Sequence, residues 1–245
     1  MCLWKVDHRS LLWMEGERTA DHTACGHAVM GWSPCMELAH AIQGRVSIRR
    51  FKQTPISDED INRILDSARY APSANNTQPW NFMVIKDRTL LKKMGDAVRT
   101  MVDRMVPFAE NETQVQRLAA YKNSFYTFFE HAPLVIAVLL ESYDAGTDTL
   151  LARMGYERDD IKRLRPWPGL QSVSAAIQNM LLTIHSLGYG SCWMTGPLVA
   201  QDDFKQILQY GDDRFIVALL PIGIPDEQPL PRTRKPLEAL VKIFK

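Results

Sequence analysis

Between Ser57 and Ala71 the apolar positions Ile61, Ile64, Leu65 and Ala68 fall three or four residues apart, the spacing of one buried helical face. Ser57 is a good N-cap, and Asp58, Glu59 and Asp60 put negative charge on the first turn, where it complements the helix dipole. The helix must stop near Ala71, because Pro72 disfavours helical dihedrals in the residue before it. A second, longer helix is predicted from Leu170 to Leu187. Val173, Ala176, Ile177, Met180, Leu181, Ile184 and Leu187 form a wide apolar stripe there, and Gly188 supplies the stop. That stripe is wide enough to serve a core and a partner together. Glu37 to Gln43 reads as a short helix, and Asp87 to about Met105 as a helix of mixed polarity.

Strands show as short unbroken apolar blocks. Leu134 to Leu140, introduced by Pro133, is the pattern of a central strand buried on both faces. Phe215 to Ile222, closed by Gly223 and Pro225, is another, and Phe82 to Ile85 is a shorter one. Helices and strands interleave, with too few strands for a barrel and no internal repeat. The chain therefore reads as α+β or α/β, with one domain over residues 36–245.

Residues 1–35 break the pattern. They hold three of the four cysteines yet show no sustained periodicity, so they read as a poorly patterned N-terminal extension. The competing reading gathers His22, Cys25, His27 and Cys35 as zinc ligands, but the spacing lacks paired C-x-x-C knuckles, so no metal is expected.

Composition narrows the classes. Of 245 residues, 46% are apolar and 23% charged, with a net charge of +1, which fits a globular protein and not a disordered chain. The balanced charge lacks the basic footprint of a nucleic-acid binder. No apolar run approaches the roughly 18–20 residues that span a bilayer, and charged residues interrupt the N-terminus too often for a signal peptide. Neither nucleic acid nor membrane is an expected partner, and the expected location is cytoplasmic.

The familiar cofactor loops are missing. Gly188-Tyr189-Gly190 begins a dinucleotide fingerprint, but Trp193 stands where the third glycine belongs. Arg45, Ser47 and Arg49 are more informative. At alternate positions of an extended segment their side chains share one face, and two guanidiniums with a hydroxyl suit a phosphate monoester.

Arg45-x-Ser47-x-Arg49, the loop Ala71-Pro72-Ser73-Ala74-Asn75-Asn76-Thr77-Gln78-Pro79-Trp80, the turn Gly188-Tyr189-Gly190-Ser191-Cys192-Trp193 and the closing Pro221-Ile222-Gly223-Ile224-Pro225 with Arg232-Thr233-Arg234-Lys235-Pro236 together resemble the nitroreductase family of FMN enzymes. The resemblance runs from Met36 to the C-terminus in the family's order. It implies a three-layer α-β-α fold, with a mixed, mostly antiparallel central sheet flanked by helices, in a domain-swapped homodimer that holds FMN at the interface.

The resemblance also assigns cofactor-binding residues. Arg45, Val46, Ser47 and Arg49 would hold the FMN phosphate and ribityl chain, with Arg232 and Arg234 closing over that end. Pro72, Ser73, Ala74 and Asn76 would reach the flavin from the partner subunit. Trp193, Met194, Thr195 and Gly196 match the stretch at the reactive edge, where the N–H groups of Thr195 and Gly196 would face flavin N5 and O4. Thr195 stands where family members often carry an acidic residue, and Asn75 where glycine is frequent. The implied activity is hydride transfer from NAD(P)H through flavin N5 to a nitroaromatic, quinone or similar flat acceptor, in ping-pong order. No catalytic side chain is expected, because the flavin carries the chemistry. Reductive dehalogenation, flavin fragmentation and flavin binding without turnover are the alternatives.

Other residues carry lesser expectations. Cys192 reads as a packed thiol with no activating cation nearby. Tyr121, Phe125, Tyr126, Phe128 and Phe129 form either a pocket wall or a helix face packed on the core or an interface. His131 and His185 read as hydrogen-bonded structural histidines, and Trp167 as a residue edging the pocket.

Overall fold

The computed structural model describes residues 36–142, 146–230 and 232–244. The segment 1–35, with the alternative metal set His22, Cys25, His27 and Cys35, lies outside the described residues. Helix α1 (Leu38–Gly44) leads into an extended segment, and α2 (Asp58–Arg69) follows. Ser57 caps α2 as expected, its Oγ accepting from the Asp60 N–H at 3.1 Å. Strand β1 (Trp80–Ile85) starts two residues before the expected Phe82. Asp87 caps α3 (Arg88–Met105), accepting from the N–H groups of Thr89 and Leu90. Helix α4 (Glu112–Ala120) and strand β2 (Leu134–Glu141) come next. After β2 stand α5 (Gly146–Arg153), α6 (Arg158–Leu164) and α7 (Pro168–Ser186). The chain then forms β3 (Gly190–Ser191), α8 (Gln201–Leu208) and β4 (Arg214–Gly223).

The four strands make one antiparallel sheet in the order β1-β2-β4-β3. A parallel contact occurs outside these strands, as an isolated bridge between Ser47 and Ser191, so the sheet is antiparallel where a mixed one was expected. Strand β2 is buried on both sides, as its unbroken apolar run requires. Leu134, Ile136, Val138 and Leu140 face a core built with α2 and α7, while Val135, Ala137 and Leu139 face one built with α3 and α8. This is the period-2 rule applied to a central strand. A bulge in the β2–β4 pairing beside Leu139 turns Val217 and Ala218 to the same side. The result is the expected α+β fold of three layers, with helices on both faces of the sheet. No helix among the described residues is long and apolar enough to cross a membrane.

Two expectations change. The apolar stripe of α7 is used up inside its own chain: Val173, Ala176, Ile177, Met180, Leu181 and Ile184 are all buried against α2 and the sheet. Its outward residues include Gln171, Ser174 and Gln178, so the stripe by itself does not mark a partner surface. The aromatic stretch is not one helix face either. Tyr121–Phe125 form a π-helical turn and Phe128–His131 a 3-10 turn, which separate the rings. Phe129 enters the core, Phe125 is exposed, and Tyr121 and Tyr126 stack with centroids 4.4 Å apart.

Gly188 ends α7 as expected. It adopts φ +83°, and the Tyr189 N–H turns back onto the Ile184 carbonyl at 3.0 Å. This aims the chain into β3 and the site.

Candidate functional site

The extended segment 45–51 crosses the end of the sheet beside β3. Its Ile48 N–H donates to the Ser191 carbonyl at 3.0 Å, and its Lys52 N–H to the Ile224 carbonyl at 2.9 Å. Ile48 is buried, which alternation permits only if Ser47 and Arg49 point the other way. Gly190 makes the close approach possible, since a Cβ there would lie 2.6 Å from the Ile48 side chain.

On the outward side, Arg45, Val46, Ser47 and Arg49 line a cavity of about 820 Å³ whose far wall is Pro229, Leu230, Arg232, Thr233 and Arg234. The fold thus joins two arginine groups nearly two hundred residues apart in sequence. Among the described residues, none of these four guanidiniums forms an ion pair, whereas Arg50, Arg63, Arg69, Arg99, Arg163, Arg165 and Arg214 each face a carboxylate. Converging cations that no acid neutralises favour an anion. Planar guanidinium forks beside a hydroxyl match phosphate in particular. The volume lies within the roughly 300–1,000 Å³ of small-ligand sites.

Cys192 lies under this cavity and is only 7% exposed. Burial pushes its thiol up, and that outweighs the downward pull of Arg49, the Ser47 hydroxyl and Arg45. The expected packed thiol is there, but nearby cations are present after all and desolvation overrides them. In the native protein at neutral pH, Cys192 should therefore be alkylated by iodoacetamide on the order of a hundredfold more slowly than in urea-unfolded chain, read by peptide mass mapping. Comparable rates would show that the thiol is open and reactive.

The loop 72–80 is built differently. Asn75, Asn76 and Gln78 all take positive φ, at 53°, 54° and 48°. Asparagine is among the few non-glycine residues that tolerate this, so Asn75 replaces glycine at small conformational cost. The loop is pinned by the Gln78 N–H donating to Ser73 Oγ at 3.0 Å and the Ala74 N–H to Ser172 Oγ at 3.1 Å. Pro72, Ser73, Ala74 and Asn76 do not line the basic cavity of their own chain.

Trp193 to Gly196 leave β3 and start a 3-10 turn. Both backbone groups of Met194 bond Leu219, at 3.0 and 2.9 Å. The N–H groups of Thr195 and Gly196 bond nothing among the described residues, as the first donors of a helical turn do. They remain available to an acceptor. Gly196 has to be glycine here, because a Cβ would fall inside the Tyr126 ring. This contact had no sequence signal, since the partners are seventy residues apart.

The remaining expectations divide. The His131 side chain is 76% exposed with Nε2 3.4 Å from Glu130 Oε1, and the His131 carbonyl accepts from Gln53 Nε2 at 2.9 Å. His185 is partly buried, and burial first, then Arg45, lower its pKa. Trp167, at φ 52°, lines a different cavity of about 440 Å³ with Tyr156, Leu170 and Phe215. Sequence reasoning missed Glu227, which accepts from the N–H groups of Arg49 and Arg50 at 2.5 and 3.1 Å. An acid just past the Gly223–Pro225 turn, opposite an arginine-rich segment, was the available signal.

Residues 42–224 match the model of the Nitroreductase family. The structure superposes on a BluB-like flavoprotein from Clostridium difficile with a TM-score of 0.80 and 31% identity, covering 86% of this chain and all of that one. An NADH dehydrogenase from Thermus thermophilus is 27% identical over 214 residues, 85% of this chain and 96% of its own. A solved iodotyrosine deiodinase bound to FMN and 3-iodo-L-tyrosine superposes with a TM-score of 0.62 over 82% of this chain and 96% of that one; at 21% identity this likeness is one of fold.

Proposed function

The chain belongs to the nitroreductase family, and from that premise we propose that it is an FMN-dependent oxidoreductase carrying hydride from NAD(P)H to a nitroaromatic, quinone or similar flat acceptor, by a ping-pong mechanism. The observation that carries this reading is the cavity that joins Arg45, Ser47 and Arg49 to Arg232 and Arg234. Its donors suit one terminal phosphate, which favours FMN over a dinucleotide flavin. FMN, when bound, supplies the redox chemistry, accepting a hydride equivalent at N5 and passing it on. The chain has to hold it and complement the charge on its reduced ring. The N–H groups of Thr195 and Gly196 suit that second task, being fixed donors at the start of a turn. Trp193 and Met194 would flank them. Because donor and acceptor use one cleft in turn, no separate dinucleotide fingerprint is required.

The proposed active unit is a homodimer in which the partner subunit's Pro72, Ser73, Ala74 and Asn76 complete each site. Two features support this reading. The loop lies outside the basic cavity of its own chain yet is held in a fixed, strained form. The C-terminal residues Leu237, Leu240, Val241, Ile243 and Phe244 are exposed, an apolar run that a second subunit would cover.

The likeness in fold to iodotyrosine deiodinase supports a second reading, reductive dehalogenation at the same flavin. One experiment separates the two. The purified protein is expected to be yellow, to bleach rapidly with NADPH under anaerobic conditions, and to recover with menadione. Recovery with 3-iodotyrosine and not menadione would favour dehalogenation. Bound FMN that NADPH does not bleach would indicate flavin binding without turnover.

A further inference from the structure

Glu227 stands beside the arginine cavity and carries the wrong charge for it. Its side chain is mostly buried, and it lines the smaller space behind the segment 45–51, with Arg45, Ser191 and His185, rather than the basic cavity itself. A single oxygen, Oε1, accepts from both the Arg49 N–H at 2.5 Å and the Arg50 N–H at 3.1 Å. The other oxygen lies 3.5 Å from Arg50 Nε, an ion pair that points to solvent and is mostly exposed on the arginine side. The backbone on either side is held by different means: Ile48 by Ser191, and Lys52 by Ile224. The Arg50 carbonyl in turn accepts from the Asp226 N–H at 3.0 Å. Between those two anchors, the N–H groups of Arg49 and Arg50 bond no backbone carbonyl among the described residues, and Glu227 supplies an acceptor for both.

Electrostatics gives the contact its meaning. A carboxylate this close to a phosphate site repels the phosphate, so it is not there for attraction. What it provides is geometry. With both N–H groups fixed, the Arg49 Cα is set, and its guanidinium starts from a defined point facing the cavity. Without the acceptor, the partly buried Arg49 N–H and the exposed Arg50 N–H lose their partner, and the segment relaxes around Arg49. We propose that Glu227 is a positioning residue for the phosphate-binding segment, acting through the Arg49 and Arg50 backbone. The proposal rests on the phosphate reading of the cavity given above.

Charge and position predict opposite signs, which makes the test decisive. Titrate wild-type protein, Glu227→Ala and Glu227→Gln with FMN and with riboflavin, which lacks the phosphate, following quenching of flavin fluorescence. If Glu227 positions Arg49, Glu227→Ala weakens FMN on the order of tenfold and leaves riboflavin nearly unchanged. Glu227→Gln keeps an oxygen acceptor and removes the charge, so it binds FMN as tightly as wild type or more so. Arg50→Ala, which removes only the exposed ion pair, stays within about twofold of wild type. Unchanged or tighter FMN binding by Glu227→Ala overturns the proposal, because charge removal alone gives that result. Equal weakening of FMN and riboflavin overturns it as well, as does Glu227→Gln failing alongside Glu227→Ala. Wild-type protein that binds FMN and riboflavin equally well would instead refute the phosphate reading, and the proposal with it.

Discussion

Arg49→Ala is expected to weaken FMN binding by about 10- to 150-fold, the equivalent of roughly 1.5–3 kcal/mol for losing a charge-assisted contact. Arg49 is partly buried, lines the basic cavity and has no carboxylate partner among the described residues, so its loss leaves no acid unpaired. Arg49→Lys should fall between the two, since lysine keeps the charge and loses the planar fork. Arg234→Ala acts in the same direction with a smaller effect, because Arg234 is exposed and water screens its charge. Added salt should weaken wild-type binding more than that of Arg49→Ala. The measurement is fluorescence titration with FMN, with riboflavin as the phosphate-free control. Unaltered FMN affinity in both alanine variants would place the phosphate elsewhere.

The second large effect concerns assembly. Arg49→Ala and a Ser73→Ala/Asn76→Ala double variant should each hold flavin poorly, and mixing them should restore binding. If each site takes its arginine segment from one chain and its 72–76 loop from the other, a mixed dimer has one site with both parts intact and one with both altered. Statistical exchange of equal amounts then recovers roughly a quarter of all sites, and forced pairing about half. Ser73 is a sound choice because its Oγ holds the loop, accepting from the Gln78 N–H. Flavin should also favour the dimer, since it would bind only the assembled form. No recovery, with exchange confirmed by a tagged subunit, would mean that both loops serve the same chain's site.

Much of the frame is legible in the sequence itself. The α2 cap at Ser57, the two-sided burial of β2 and the glycine stop after α7 are local or periodic properties, and the structure has each of them. The spacing of Arg45, Ser47 and Arg49 likewise announced one shared face, because alternation along an extended segment is a local rule. Element boundaries shifted by a residue or two, as at Trp80, where pairing with Leu140 extends the strand beyond its apolar block.

What needed the tertiary structure was every contact between distant segments. The α7 stripe looked wide enough for two partners, yet the packing of α2 and the sheet buries it from Val173 to Ile184 and leaves only Leu187 half-buried. The aromatic stretch has no single face, because a π-helical turn and a 3-10 turn reset its period. Cys192 has cations beside it that its sequence neighbours do not reveal, and only burial decides which way its thiol shifts. Tyr126 against Gly196, and Glu227 beneath Arg49, join residues whose separation leaves no periodic trace. Sequence by itself determined which segments are helix or strand and which face each turns inward, because φ/ψ preference and burial period act over a few residues. The tertiary structure decided which of those faces meet, because close packing is settled among side chains that the chain brings together only on folding.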